Sequence, residues 1–185
     1  ENLVAAGYLM HRSPYSFDAL ETSDDLRALF STLSEINDRR GRPACVTANM
    51  VMANPDFKGI EAARFETFTY TPVARAMAVD PLRSNVVDTW LDGYRNNLFI
   101  PQFHAREHIR WWEWLEALSS GVEEAKVTFD LGMCGVPYAA SKVAMSFYKP
   151  VYMDADSNRK NGVEISSLIQ SSTALLGGIS VVFQN

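Results

Sequence analysis

The stretch LFIPQFHAREHIRWWEWLEALSSG at 98–121 decides how the chain is read. Leu98 to Phe103 is an apolar run of strand character. Pro101 has no backbone N–H to give, which confines it to an irregular or edge strand. HAREH (104–108) follows, and Ile109 to Ser120 has the length and apolar content of a helix, closed by Gly121. Strand, short polar link and helix in that order form the repeating unit of α/β folds.

The same alternation recurs on either side. TSDD (22–25) places a hydroxyl cap and acids where a helix begins, satisfying free backbone N–H groups and suiting the helix dipole. Leu26, Leu29, Phe30, Leu33 and Ile36 then fall on one helical face, and Gly41 and Pro43 are read as the stop. ACVTANMVM (44–52) reads as a buried strand, with Asn54-Pro55 as the turn after it. FETFTY (65–70) alternates like a strand. Val86, Trp90 and Tyr94 give 85–97 a helical spacing. KVTFD (126–130) reads as a short strand, 164–176 as a helix closed by Gly177 and Gly178, and ISVVF (179–183) as a last strand. The stretch 133–160 is poorly periodic and reads either as a long excursion or as two loops around a short helix at 141–147. A largely parallel sheet follows, as a (β/α) barrel or an open doubly wound sheet. No GxGxxG follows a strand, so the dinucleotide-binding signature is missing.

With 47% hydrophobic and 21% charged residues, the 185-residue chain has the balance of a globular protein and is read as a single domain. The net charge of −5 comes without a basic run that would grip nucleic acid, so no nucleic-acid partner is expected. The apolar runs are too short for a membrane span. The opening ENLVAAGYLM lacks the features of a signal peptide, and Glu1 implies a natural start further upstream. Cys45 and Cys134 form no CxxC motif and are expected as two buried free thiols. Met50, Met52, Met77 and Met133 are expected as core filler. Asp154, Asp156 and Asn158 lack the glycine and glutamate positions of a calcium loop, and no G-x-S-x-G elbow occurs.

Of the three histidines, His11, His104 and His108, two lie in HAREH. Spaced by four residues, they sit on one helical face or flank a strand-to-helix turn. Either arrangement can bring two imidazoles to one metal ion. The bland alternative is two surface histidines at a helix start. The position favours a site, because ligands collect at the carboxyl ends of strands in α/β folds.

The segments VTANMVMANPDF (47–57 from Thr47, with Val46 before it), IPQFHAREHI (100–109) and SFDALETSDDLRALF (16–30) together resemble a divergent bacterial branch of the polysaccharide deacetylases, within the carbohydrate esterase superfamily. The likeness runs from about Asn2 to Ala117, in order, and weakens after Gly121. It implies a distorted (β/α) barrel and metal-dependent removal of acetyl or similar acyl groups from a carbohydrate. His104 and His108 would bind the metal, most simply zinc. Asn49, Asn54, Tyr70, Gln102 and Arg106 would contact substrate near strand ends, and Glu107 or Asp130 would act as base.

The sequence departs from the family pattern in three places. The acidic Asp-Asp segment of the superfamily is expected upstream of residue 1, so the domain is read as incomplete at that end. Ala105 stands where the ordinary motif has Ser or Thr. VTFDLG (127–132) resembles the family's T-F-D-D-G, but Leu131 replaces the second Asp and the segment follows the histidines. Two other readings stay open. HAREH also fits the H-x-x-E-H protease pattern, with Glu107 as base and Glu164 as a distant ligand, but that pattern belongs inside a helix. Trp111, Trp112 and Trp114 could serve a catalytically inactive carbohydrate-binding relative, although core packing accounts for at least two of them. Strand edges left open by an incomplete barrel would favour an oligomer.

Overall fold

The computed structural model describes residues 2–5, 7–8, 20–136 and 141–142. The elements run α1 (Asn2–Ala5), α2 (Ser23–Glu35), β1 (Val46–Val51), β2 (Ala53–Pro55), α3 (Phe57–Ala62), β3 (Tyr70–Pro72), α4 (Val73–Val79), α5 (Val86–Arg95), β4 (Phe99–Ala105), α6 (Trp111–Ser119) and α7 (Glu123–Asp130). The sequence-read helix at 164–176 and strand at 179–183 lie outside the described residues, as does the expected helix at 141–147 after Lys142. The chain divides into two compact units. Among the described residues, one contains Pro55–Tyr70 and everything from Glu107, with the first residues of the chain; the other contains Ala19–Asn54 and Thr71–Arg106.

The second unit is built on the parallel pair β1–β4. β1 is uncharged and rich in residues that suit a pleated surface, and Pro101 is accommodated in β4. One face of the pair is buried: Met50 and Phe99 join Leu26, Phe30, Val73, Met77, Val86, Trp90 and Leu98 in a single core. The Trp90 ring lies flat against Phe99, centroids 6.3 Å apart, and Phe30 meets Phe99 edge-on at 6.1 Å. Trp90 Nε1 donates to Glu21 Oε1 at 3.0 Å, so the indole keeps a polar partner as its ring is buried. The opposite face is exposed at Thr47, Asn49, Ile100, Gln102 and His104. The strand read as buried is therefore buried on one side only. This is a mixed α/β arrangement with a two-stranded parallel sheet, and the described residues do not form a closed barrel.

α2 begins as its sequence dictates. Thr22 Oγ1 accepts from the Asp25 N–H and the Asp25 carboxylate accepts from the Thr22 N–H, a reciprocal cap. The helix stops at Glu35, before the Gly41-Pro43 signal, because Ile36 turns extended and donates back to the Leu33 carbonyl. Ile36 and Leu29, read as part of the apolar face, are exposed; Leu26 and Phe30 carry the burial.

The first unit is packed around aromatic rings. Ile60, Ile109, Trp114, Leu115, Leu118, Ala125, Phe129 and Cys134 form its core, with Phe57, Phe65, Phe68 and Trp111 against it. Gly121, at φ 77°, lets the chain reverse between α6 and α7. Two strand readings fail here. KVTFD is the second half of helix α7, in which Ala125, Thr128 and Phe129 share a buried side and Thr128 Oγ1 donates to the Glu124 carbonyl at 2.9 Å. FETFTY is mostly a turn. Arg64 and Phe65 take left-handed φ values of 53° and 63°, a cost offset by seating the Phe65 ring edge-on against Phe129 at 5.3 Å. Only Tyr70 enters a strand. Asn54-Pro55, read as a turn, belongs to β2. No helix among the described residues is long and apolar enough to cross a membrane.

Candidate functional site

His104 lies near the end of β4, and its position in the ladder is unusual. Asn49 pairs with Gln102 and Met50 with Phe103, but Val51 pairs with Ala105. The register slips by one residue and passes over His104. Such irregularities re-aim side chains and are common beside functional sites. His104 is exposed, on the same face as Gln102 and Asn49. Asn49 and Gln102 are Cα partners, so two side-chain amides stand side by side at the carboxyl half of the parallel pair.

Beyond β4 the chain runs through a bend to α6. Arg106 is half-buried and its carbonyl accepts from the Ala53 N–H at 2.7 Å, next to half-buried Asn54. Glu107 is buried, only 4% exposed. His108 is half-buried. The stretch 104–108 is strand and bend, not helix, so the helical setting that an H-x-x-E-H protease needs is absent from it. Of the two arrangements open to the histidines, the strand-to-helix turn is the one adopted.

The dividing line between the two units falls between Arg106 and Glu107. Asn49, Asn54, Gln102, His104 and Arg106 belong to one unit, and Tyr70, Glu107, His108 and Asp130 to the other. Tyr70 is half-buried, with its ring 6.5 Å from Phe68 and inclined by 28°. Phe68 in turn stacks on Trp111 at 5.4 Å and 22°, and Trp111 meets Trp112 edge-on at 5.6 Å. Asp130 is exposed at the last position of α7. It was a candidate base as a strand-end residue, and that strand is a helix.

Trp112 and Trp114 are buried, so packing accounts for two of the three tryptophans, as the sequence reading allowed; Trp111 is half-buried. The Nε1 atoms of Trp111 and Trp114 are buried without a hydrogen-bond partner among the described residues. Met50, Met52 and Met77 are core residues as expected, and Met133 packs beside Tyr8 and Val136. Cys134 is buried and free, but Cys45 is exposed at the entry to β1, contrary to expectation.

Two imidazoles suit a borderline-soft divalent ion such as zinc. Among the described residues no group of three or more His, Cys, Asp or Glu is arranged to hold a metal.

The described residues show a mixed α/β arrangement with a parallel strand pair whose register slips at His104, near the carboxyl end of β4. No family model matches the chain, and no curated protein or solved structure matches it.

Proposed function

We propose that this chain is a polysaccharide deacetylase-like, metal-dependent hydrolase that removes acetyl or similar acyl groups from a carbohydrate, built on a divergent or incomplete (β/α) barrel. The observation that carries the reading is the placement of His104: exposed, skipped by the ladder, and at the carboxyl end of a parallel strand. His108 follows in the short link between β4 and α6. The ion, zinc in the simplest case, supplies Lewis acidity toward the acyl carbonyl and lowers the pKa of water. Asn49 and Gln102 offer paired donors and acceptors to sugar hydroxyls, and Arg106, Asn54 and Tyr70 extend the set of substrate contacts. Glu107 is the better candidate than Asp130 for handling the proton, since it lies between the histidines in sequence and is shielded from bulk water.

Elemental mass spectrometry on the purified chain tests the reading. Near-stoichiometric divalent metal, lost in His104→Ala/His108→Ala, is the expected result and justifies assaying acetylated sugars. No bound metal after reconstitution would sink the hydrolase reading.

A second reading, an inactive carbohydrate-binding relative, draws on the Tyr70–Phe68–Trp111 ring column, since aromatic faces stack on sugar rings. Glycan binding without metal, weakened by Tyr70→Ala, is its expected signature.

A further inference from the structure

The loop joining α2 to β1, NDRRGRP at 37–43, is small and internally fixed. Asn37 and Pro43 form an antiparallel bridge, and the Ala44 N–H donates to the Ile36 carbonyl at 2.7 Å. The Asp38 N–H donates to the Arg42 carbonyl at 2.9 Å. Gly41, at φ 74°, makes the turn with open space around it. The Asp38 carboxylate fills the inside of the loop. Its Oδ1 accepts from the backbone N–H groups of Arg40 (2.7 Å) and Arg42 (3.0 Å), and its Oδ2 from Arg42 Nε at 2.8 Å.

This arrangement uses up one charge of each sign. Asp38 and Arg42 neutralise each other, with Arg42 Nη2 2.7 Å from Asp38 Oδ2. Arg39 and Arg40 remain. Both are exposed, and neither guanidinium has an ion pair or hydrogen bond among the described residues. A rigid loop therefore presents two adjacent unpaired cations on a chain whose net charge is −5. The loop leads into the amino end of β1, while Asn49, Gln102 and His104 lie toward the carboxyl ends of the pair. It is thus separate from the candidate site, and the inference does not rest on the hydrolase reading.

The charge balance selects the ligand. A long polyanion is repelled by the chain as a whole. A compact anion responds mainly to charges within a Debye length, about 8–10 Å at ordinary salt. Guanidinium forks match the oxygens of a phosphate, and a dianion gains from both arginines where a single carboxylate gains less. Glu35, exposed at the end of α2, is the nearest unpaired acid in sequence and opposes binding. We propose that the 37–43 loop is a docking site for a phosphomonoester group, read by Arg39 and Arg40.

Isothermal titration of the full 185-residue chain tests this, with three probes: free O-phosphoserine, a short peptide bearing one phosphoserine, and the same peptide unphosphorylated. The expected result is saturable binding of the phosphorylated probes that weakens with added salt and falls by about tenfold or more in Arg39→Ala/Arg40→Ala. Arg27→Ala, which removes a guanidinium already paired with Asp24, should bind as the parent chain does. Equal affinity for O-phosphoserine and the phosphopeptide would identify a small phosphate ester as the source. Tighter binding of the phosphopeptide would identify a phosphorylated protein. No saturable binding, equal binding of the unphosphorylated peptide, or full retention of binding by the double variant would overturn the proposal. Because neither arginine side chain takes part in holding the loop, the double variant should keep the parent circular dichroism spectrum.

Discussion

Gly93 lies inside α5, where replacing glycine with alanine ordinarily stabilises a helix by about 1 kcal/mol. Here the structure reverses the sign. A methyl carbon built on Gly93 would stand 2.3 Å from Phe30 Cζ, 2.6 Å from Phe30 Cε2 and 2.9 Å from Phe99 Cβ. Carbon pairs settle at about 3.5–4.0 Å. The Phe30 ring is the end of a side chain, but it is buried and held edge-on by Phe99, and Phe99 Cβ sits next to the β4 backbone and has little freedom to move. Overpacking of this kind costs about 1–3 kcal/mol, and contact with two separate elements points to the upper part of that range. After the helix-propensity gain is subtracted, Gly93→Ala is expected to destabilise by about 1–2 kcal/mol. With a urea dependence of about 2 kcal/mol/M, the unfolding midpoint should drop by roughly 0.5–1 M. Phe30→Leu in the Gly93→Ala background should recover part of the loss, because a smaller side chain makes room for the methyl. An unchanged or higher midpoint in Gly93→Ala would refute the close packing of α5 on α2 and β4.

Three further outcomes can be checked quickly. A thiol-reactive dye should label one cysteine in the native chain, exposed Cys45, and both in urea, because burial withholds Cys134 from the reagent and pushes its thiol pKa up to about 12; two fast equivalents would refute the burial of Cys134. The carboxyls of Asp25, Asp38 and Asp80 are held below the usual carboxylate range by hydrogen bonds from Thr22, from the Arg42 backbone and side chain, and from the Arg83 side chain. Their stabilisation is present above the unfolded carboxylate pKa of about 3.9 and is lost as pH falls through the lower folded values, so the urea midpoint should hold from neutral pH to about 5 and decline below about 4. The decline should be shallow, since all three are surface groups, and a midpoint that rises on acidification would contradict it. Thr22→Ala should cost about 1 kcal/mol by removing the reciprocal cap of α2, read as a lower urea midpoint at neutral pH.

What could be read from the sequence had a strong local cause. α2 carries its own cap, α5 and α6 carry apolar residues at helical spacing, and β1 and β4 are uncharged runs flanked by breaks. The failures have physical reasons too. KVTFD has strand composition, but Glu123 and Glu124 precede it as first-turn acids and Phe129 finds its place among Phe57, Phe65 and Trp114, so packing overrides propensity. FETFTY alternates for packing, not for pairing. α3 and α4, six and seven residues long, are too short to show a period. The position of His104 at a strand end was legible because strand, link and helix follow one another directly. The skipped register was not, since it depends on how β4 aligns with a strand about fifty residues earlier. Nor was the burial of Glu107 legible, because a charged residue before a helix is usually solvated.

The exposed side of the β1–β4 pair bears on function through its cost to the fold. Parallel strands are ordinarily covered on both faces and carry near-continuous β-branched and aliphatic side chains. Here the face opposite the core presents Thr47, Asn49, Gln102 and His104 beside Ile100. Asparagine is disfavoured in strands, and at Asn49 it occupies the middle of β1 beside a second amide. Nothing in the packing of this unit requires an amide there, because its core draws on the other face. The break with local preference falls in the carboxyl half of the pair and ends at a bulged histidine. Local rules tend to be broken where a protein acts, and polar groups gathered at the carboxyl ends of parallel strands are where α/β proteins meet their ligands. Under the proposed function the order of experiments follows from this: test His104 and His108 for metal first, then Asn49 and Gln102 as the proposed sugar contacts, whose loss is expected to weaken substrate binding while leaving metal content unchanged.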